Sequence, residues 1–144
     1  MATLPPGSIR CISLWQPWAS LVACGAKTIE TRGKPAPLTI LGCRIGIHAA
    51  KTRRGISALP QHEITAAEEA LGIPQSAWDD RLPFGSLVAT TLVEASIPTG
   101  RLTPDLFGDF TPGRFGWFLS GTIALSMPIP TRGCQGIFFT PDPH

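Results

Sequence analysis

Tyrosine is absent from this chain, methionine occurs twice, and charged residues fill only 15% of its 144 positions. The remaining aromatics are seven Phe and four Trp, so few rings are available for stacking on a ligand. The formal net charge of +2 neither demands nor excludes a nucleic-acid partner, and the distribution of charge must decide. The four cysteines, Cys11, Cys24, Cys43 and Cys134, form no C-x-x-C pair, and none lies within a few residues of a histidine. Zinc-ligand spacing is therefore missing, and neither a metal nor a cofactor is expected. Cys11, Cys24 and Cys43 sit in apolar sequence, where buried reduced thiols are expected. No apolar run approaches the ~20 residues that span a bilayer. The N-terminus, Met-Ala-Thr-Leu-Pro-Pro-Gly, has neither the basic nor the apolar region of a signal peptide. A cytoplasmic protein with no membrane partner is the expectation.

Glycine and proline are plentiful, fifteen of each. Together with a hydrophobic content of 43% they describe a globular chain of short strands and many turns. A chain this long buries one core, so residues 1–144 read as a single domain. Residues 1–8 read as a flexible arm. Leu38 to Ala50 reads as a strand interrupted near Gly42, and Gly85 to Ile97 as the longest strand. Shorter strands are expected at Arg114–Leu119, Ile123–Met127 and Gly136–Thr140. Residues 52–84 differ in character. Their Ala/Glu/Leu run at 64–71 favours helix and ends at Gly72, predicting a helical insertion at about residues 55–80. Six Pro and Gly residues between 98 and 113 predict an ordered excursion or a flap.

The densest signal lies in residues 11–32, CISLWQPWASLVACGAKTIETR. Ile12 and Leu14 alternate with Cys11 and Ser13, as in a strand. Pro17 suits a first helical turn, because its missing amide needs no partner there. Trp18, Leu21 and Val22 recur at helical spacing, and Gly25 is placed to end the helix in a left-handed cap. Lys27, Glu30 and Arg32 then crowd into one short second strand. In a chain so poor in charge, such a segment reads as the wall of a site.

Gly25-x-Lys27-x-x-Glu30-x-Arg32 after a Trp-containing helix resembles the signature of the ASCH domain family, a branch of the PUA-like β-barrels. The likeness extends along most of residues 9–140. It includes Gly46-Ile47-His48-Ala49-Ala50-Lys51, Gly85-Ser86-Leu87-Val88-Ala89-Thr90, Phe115-Gly116-Trp117-Phe118-Leu119, and Pro128-Ile129-Pro130 through Gly133-Cys134-Gln135-Gly136. The resemblance implies an α+β fold: a small PUA-like mixed β-barrel with a short helix after the first strand. It also implies a link to RNA, since the family is related in fold to RNA-binding domains.

Several side chains carry the chemistry. Lys27 is either a solvated cation at a helix C-terminus or a desolvated base, nucleophile or phosphate anchor; the resemblance places it on the signature lysine. Glu30 and Arg32 share one face of a strand, whereas a Lys27–Glu30 pair requires Lys27 to lie in the turn. His48, with small neighbours on its face, is either an acid/base group or a packed histidine. Lys51, Arg53 and Arg54 form the most basic run and could line an anionic groove. Trp15, at a strand-to-helix corner, is the stacking candidate, and Arg114 could join the basic rim beside Asp105 and Asp109.

Two function classes follow. One is an RNA- or nucleotide-binding domain with a cationic cleft, taking single-stranded or looped RNA through Trp15, Arg32, Arg53, Arg54 and Arg114. It would be either a non-catalytic recognition module or a metal-independent hydrolase whose catalytic residues are Lys27, Glu30, His48 and Lys51. The other is an amidohydrolase on acylated pyrimidine nucleosides, which the resemblance implies through a Lys-x-x-Thr motif and a glutamate from a later loop. Here Lys27 matches, Glu30 stands in the threonine's place, and the later glutamate has no sequence counterpart, leaving Asp105 or Asp109 to serve. A monomer is expected.

Overall fold

The computed structural model describes residues 3–57 and 59–144. Six strands form one mixed sheet in the order β2-β5-β4-β3-β1-β6. They are β1 (Ser8–Leu14), β2 (Ile29–Arg32), β3 (Arg44–Ala49), β4 (Ser86–Pro98), β5 (Phe115–Pro130) and β6 (Phe138–Pro141). Every ladder is antiparallel except β1 with β3. The fold is mixed α+β, as the sequence predicts. The sheet does not close: its edge strands β2 and β6 share no ladder among the described residues.

The parallel pair is the key element. Parallel strands need a crossover, and residues 15–43 supply one that contains the expected short helix, α1 (Trp18–Ala23). Ala19 and Val22 of α1 pack on the sheet with Ile12, Leu14, Ile45 and Ile47. Leu21 points the other way, into a second cluster with Ile64, Ala67, Trp78 and Phe107. Cys11, on the opposite face of β1 from Ile12, is buried with Ile9, Leu87 and Phe138. Both faces of β1 are thus covered, and burial pushes the Cys11 thiol up to about 12. Gly25 closes α1 at φ +85°; its amide donates to the Val22 carbonyl at 3.0 Å and that of Lys27 to Leu21 at 3.0 Å.

The insertion holds α2 (Gln61–Leu71) and α3 (Trp78–Arg81), with a 3-10 turn before each. Gly72 stops α2 in the left-handed region, its amide bonded to Glu68 at 2.8 Å. Trp78 is fully buried, and its indole N–H donates to the Ile73 carbonyl at 2.9 Å. At Gly55 the insertion presses on the crossover: a Cβ there would meet Trp15 Cβ at 2.8 Å and the Gln16 carbonyl closer still.

Several expectations are corrected. Residues 38–42 are turn, because they are taken up by the approach to β3, which starts at Arg44. The longest strand is β5, not the 85–97 run: the two strands expected at 114–127 are one, continuing through Gly121 at φ +56°. Cys24 and Cys43 are exposed, since they sit in the turns that end α1 and precede β3; all four thiols are free. Of the expected arm, Met1 and Ala2 lie outside the described residues, and Ser8 already opens β1, held by Pro5 at 3.1 Å. The 98–113 excursion is tied down, the Thr99 hydroxyl donating to the carbonyls of Thr111 and Arg114 at 2.8 and 3.1 Å.

β5 pairs with β2 only along Phe115–Phe118. Beyond that its far edge has no strand partner among the described residues, and Ile123, Met127 and Ile129 on it are exposed. No charged residue occurs from 115 to 131.

Candidate functional site at the end of the parallel strands

Because β1 and β3 run parallel with Ser13 opposite His48, their C-terminal ends deliver Trp15 and Lys51 to one side of the molecule. Two depressions open there. The smaller, about 410 Å³, is walled by Leu14, Trp15, Trp18, Lys27, Glu30, Thr31, Arg32, Glu63, Asp109 and Arg114. The wider, about 1180 Å³, runs between Lys51, Phe84 and the 130–136 segment over His48. Ser13, Trp15 and Arg32 line both, so the two share a ridge.

Lys27 lies in the turn before β2, the placement a Lys27–Glu30 contact requires. Its side chain is 2% exposed, and its ammonium donates to the carbonyls of Ile29 at 2.8 Å and Phe107 at 2.5 Å. Glu30 Oε1 lies 3.6 Å away and the Trp18 ring centroid 5.4 Å. Burial holds the Lys27 pKa below its usual value, opposed by Glu30 and Asp105. Glu30 also accepts from Arg32 Nε at 3.1 Å, and Arg32 Nη2 donates to the Ser13 carbonyl at 3.1 Å. The far rim comes from the excursion. Arg114 donates to the carbonyls of Asp109 and Thr31, each at 3.1 Å. Thr31 Oγ1 accepts from the Asp109 amide at 3.0 Å.

His48 belongs to the other depression. It is 2% exposed, and both ring nitrogens are engaged, with Ser13 Oγ at 2.7 Å and the Thr131 carbonyl at 2.7 Å. Phe138 meets the ring edge-on at 5.6 Å. Burial lowers the His48 pKa, opposed by the bond to Thr131. This is the packed-histidine arrangement. Lys51 lines the same groove, exposed. Arg54 lies 5.9 Å from the centroid of the Trp15 ring, which is 45% exposed. Arg53 lines neither depression; it pairs with Asp79 and covers the Phe84 ring at 4.2 Å.

The fold thus gathers Lys27, Glu30, Arg32, Trp15 and Arg114 around one cleft, places His48 and Lys51 in the next, and leaves Arg53 and Arg54 outside both linings. Two charged lining residues escape sequence reasoning. Glu63 enters from the first turn of α2; its only signal is its place four residues before the buried Ala67, on the inward stripe. Arg132 lines the groove beside Lys51 and is marked in the sequence only by the Gly-Cys-Gln-Gly turn that follows it. The charged side chains lining the wide groove are Arg32, Lys51 and Arg132; no carboxylate lines it among the described residues.

The ASCH domain model matches residues 12–100, and the chain belongs to the ASCH domain family. It is similar to the crystal structure of the ASCH protein from Zymomonas mobilis, at 20% identity and a TM-score of 0.48, covering 83% of this chain and 71% of that one. A mutant of the same Zymomonas protein matches at 20% identity and 0.48, with 83% and 72% covered. No curated protein matches the chain in sequence.

Proposed function

We propose that the chain binds single-stranded RNA across the shared ridge, one base entering the smaller cleft while the adjoining phosphates lie in the wide groove. The observation that carries this reading is the lining of that groove: three cations and no carboxylate, beside an exposed Trp15 that offers a stacking face. Membership of a family linked to RNA points the same way. In this reading His48 braces the groove wall and does not touch the strand. Phosphate contacts make affinity fall with salt, by about 0.7 in log K per log salt for each contact on a single strand. Replacing both Lys51 and Arg132 by Gln is therefore expected to weaken binding of a labelled RNA octamer. The salt slope should flatten by about 1.4. Binding that ignores salt, or an unchanged slope in the double variant, would refute the reading.

A second reading rests on Thr31, which lines the same cleft as Lys27 and Glu63 and whose hydroxyl oxygen accepts from the Asp109 amide while its proton stays free to leave. These supply the hydroxyl, the cation and the late carboxylate that hydrolysis of an acylated pyrimidine nucleoside needs. Incubation with an N-acylated cytidine is the check: release of free cytidine, lost in Thr31→Val, supports it, and no release from the wild-type protein rejects it.

A further inference from the structure

A carboxylate in an RNA cleft is out of place unless it faces something other than phosphate. The smaller cleft holds three acidic side chains, and two of them are already committed. Glu30 is held by Lys27 and Arg32. Asp109 accepts from the Thr111 amide and hydroxyl, at 3.0 and 2.7 Å, and lies 3.6 Å from Arg114 Nε. Glu63 differs. Among the described residues its carboxylate makes neither a hydrogen bond nor an ion pair, although the half-buried residue lines the cleft together with Trp18 and Thr31. Burial raises its pKa, opposed by His62 and Lys27. A partly desolvated carboxylate with open lone pairs is a site for an N–H donor.

We propose that the smaller cleft selects RNA bases that carry an exocyclic amino group, with Glu63 as the acceptor that reads it. The inference rests on the RNA reading above and specifies the base that enters. Splayed bases are read on their Watson–Crick edges while stacked on an aromatic face, and the exposed Trp15 supplies such a face here. An acidic side chain takes its hydrogen bond from the cytosine N4 amino group. Uracil presents a carbonyl oxygen at that position, which repels a carboxylate. Arg32, on the shared ridge, lies over the Trp117 ring and spends Nε and Nη2 on its hydrogen bonds, which leaves Nη1 without one. That donor suits the ring nitrogen or carbonyl acceptor beside the amino group.

The test compares labelled oligocytidine and oligouridine octamers, of equal charge and ring size, by fluorescence anisotropy at one fixed salt concentration. The wild-type protein is expected to bind oligocytidine about tenfold more tightly, the worth of one such discrimination. Glu63→Gln, whose amide can donate as well as accept, is expected to bring the two within about threefold. Glu63→Ala should weaken oligocytidine and, with the repelling carboxylate gone, leave oligouridine bound at least as tightly as before. With no protein partner to lose, both variants should keep the wild-type circular dichroism and melting temperature. Equal binding of the two octamers by the wild-type protein, or an undiminished preference in both variants, would overturn the assignment while the RNA reading stood. Binding of neither octamer would remove the RNA reading and the inference together.

Discussion

Lys27 and Glu63 show how one cleft treats opposite charges. Lys27 is buried yet keeps three acceptors around its ammonium, two carbonyls and Glu30, so the cost of desolvation is offset by charge-assisted bonds. Its contact with Phe107 also fastens the excursion to β2's turn, a structural task that the motif alone does not reveal. Glu63 has no such offset. Its folded pKa lies above the usual 4.5, so between the two values the folded protein binds more protons than the unfolded chain. The contribution of this group to stability is therefore full below about pH 4.5 and lost as pH rises through the folded pKa. Glu63→Gln removes that slope and is expected to be at least as stable as the parent at pH 7. Urea unfolding midpoints at pH 4 and pH 7 check it; a variant clearly less stable at pH 7 would mean that Glu63 has a partner in the folded protein.

At the scale of elements, the 130–136 segment is a strap over His48, and Gly133 is what lets it lie close. A Cβ on Gly133 would meet His48 Nδ1 at 2.7 Å and Ser13 Oγ at 2.9 Å. Gly133→Ala is expected to cost about 1–3 kcal/mol, the range for overpacking, read as a lowered melting temperature. A melting temperature equal to the parent's would show that the strap moves freely. The elements also show what the sequence made legible. The strand–helix–strand of residues 8–32, its glycine cap and the α2 stop at Gly72 are local events, written in periodicity and turn chemistry, and they stand as read. Glu30 and Arg32 meet because a strand repeats every two residues. The separation of Lys27 from His48 could not be read this way. It depends on which side of β1 each depression opens, and on a strap more than 80 residues downstream that claims the His48 ring. Glu63 was hidden for the same reason, since an insertion packs where tertiary contacts send it. The turn at 38–42 misled because Leu38, Ile40 and Leu41 look strand-like. Only Ile40 is buried.

For the molecule as a whole, the parallel β1–β3 pair converts a modest net charge into a directional surface. Cations and rings from the ends of both strands face one way. Lys51 and Arg132 line the groove with no carboxylate among its lining residues, while the acidic side chains of Asp79 and Asp142 sit outside it, paired with Arg53 and Arg44. A net charge of +2 therefore understates what an approaching polyanion would meet at the groove, and salt is the variable that exposes the difference.

The far edge of β5 has a different consequence. An open strand edge without charge is a template for another strand, and most β-proteins blunt theirs with lysine or proline. Here the brakes stand at the ends: Gly121 bends the strand at one, and Pro128 and Pro130, which have no N–H to donate, interrupt it at the other. The seam left between them, Thr122 to Met127, is the stretch of this edge that keeps its N–H groups. The two prolines therefore shorten the ladder that a second copy of the chain could add to this edge without abolishing it.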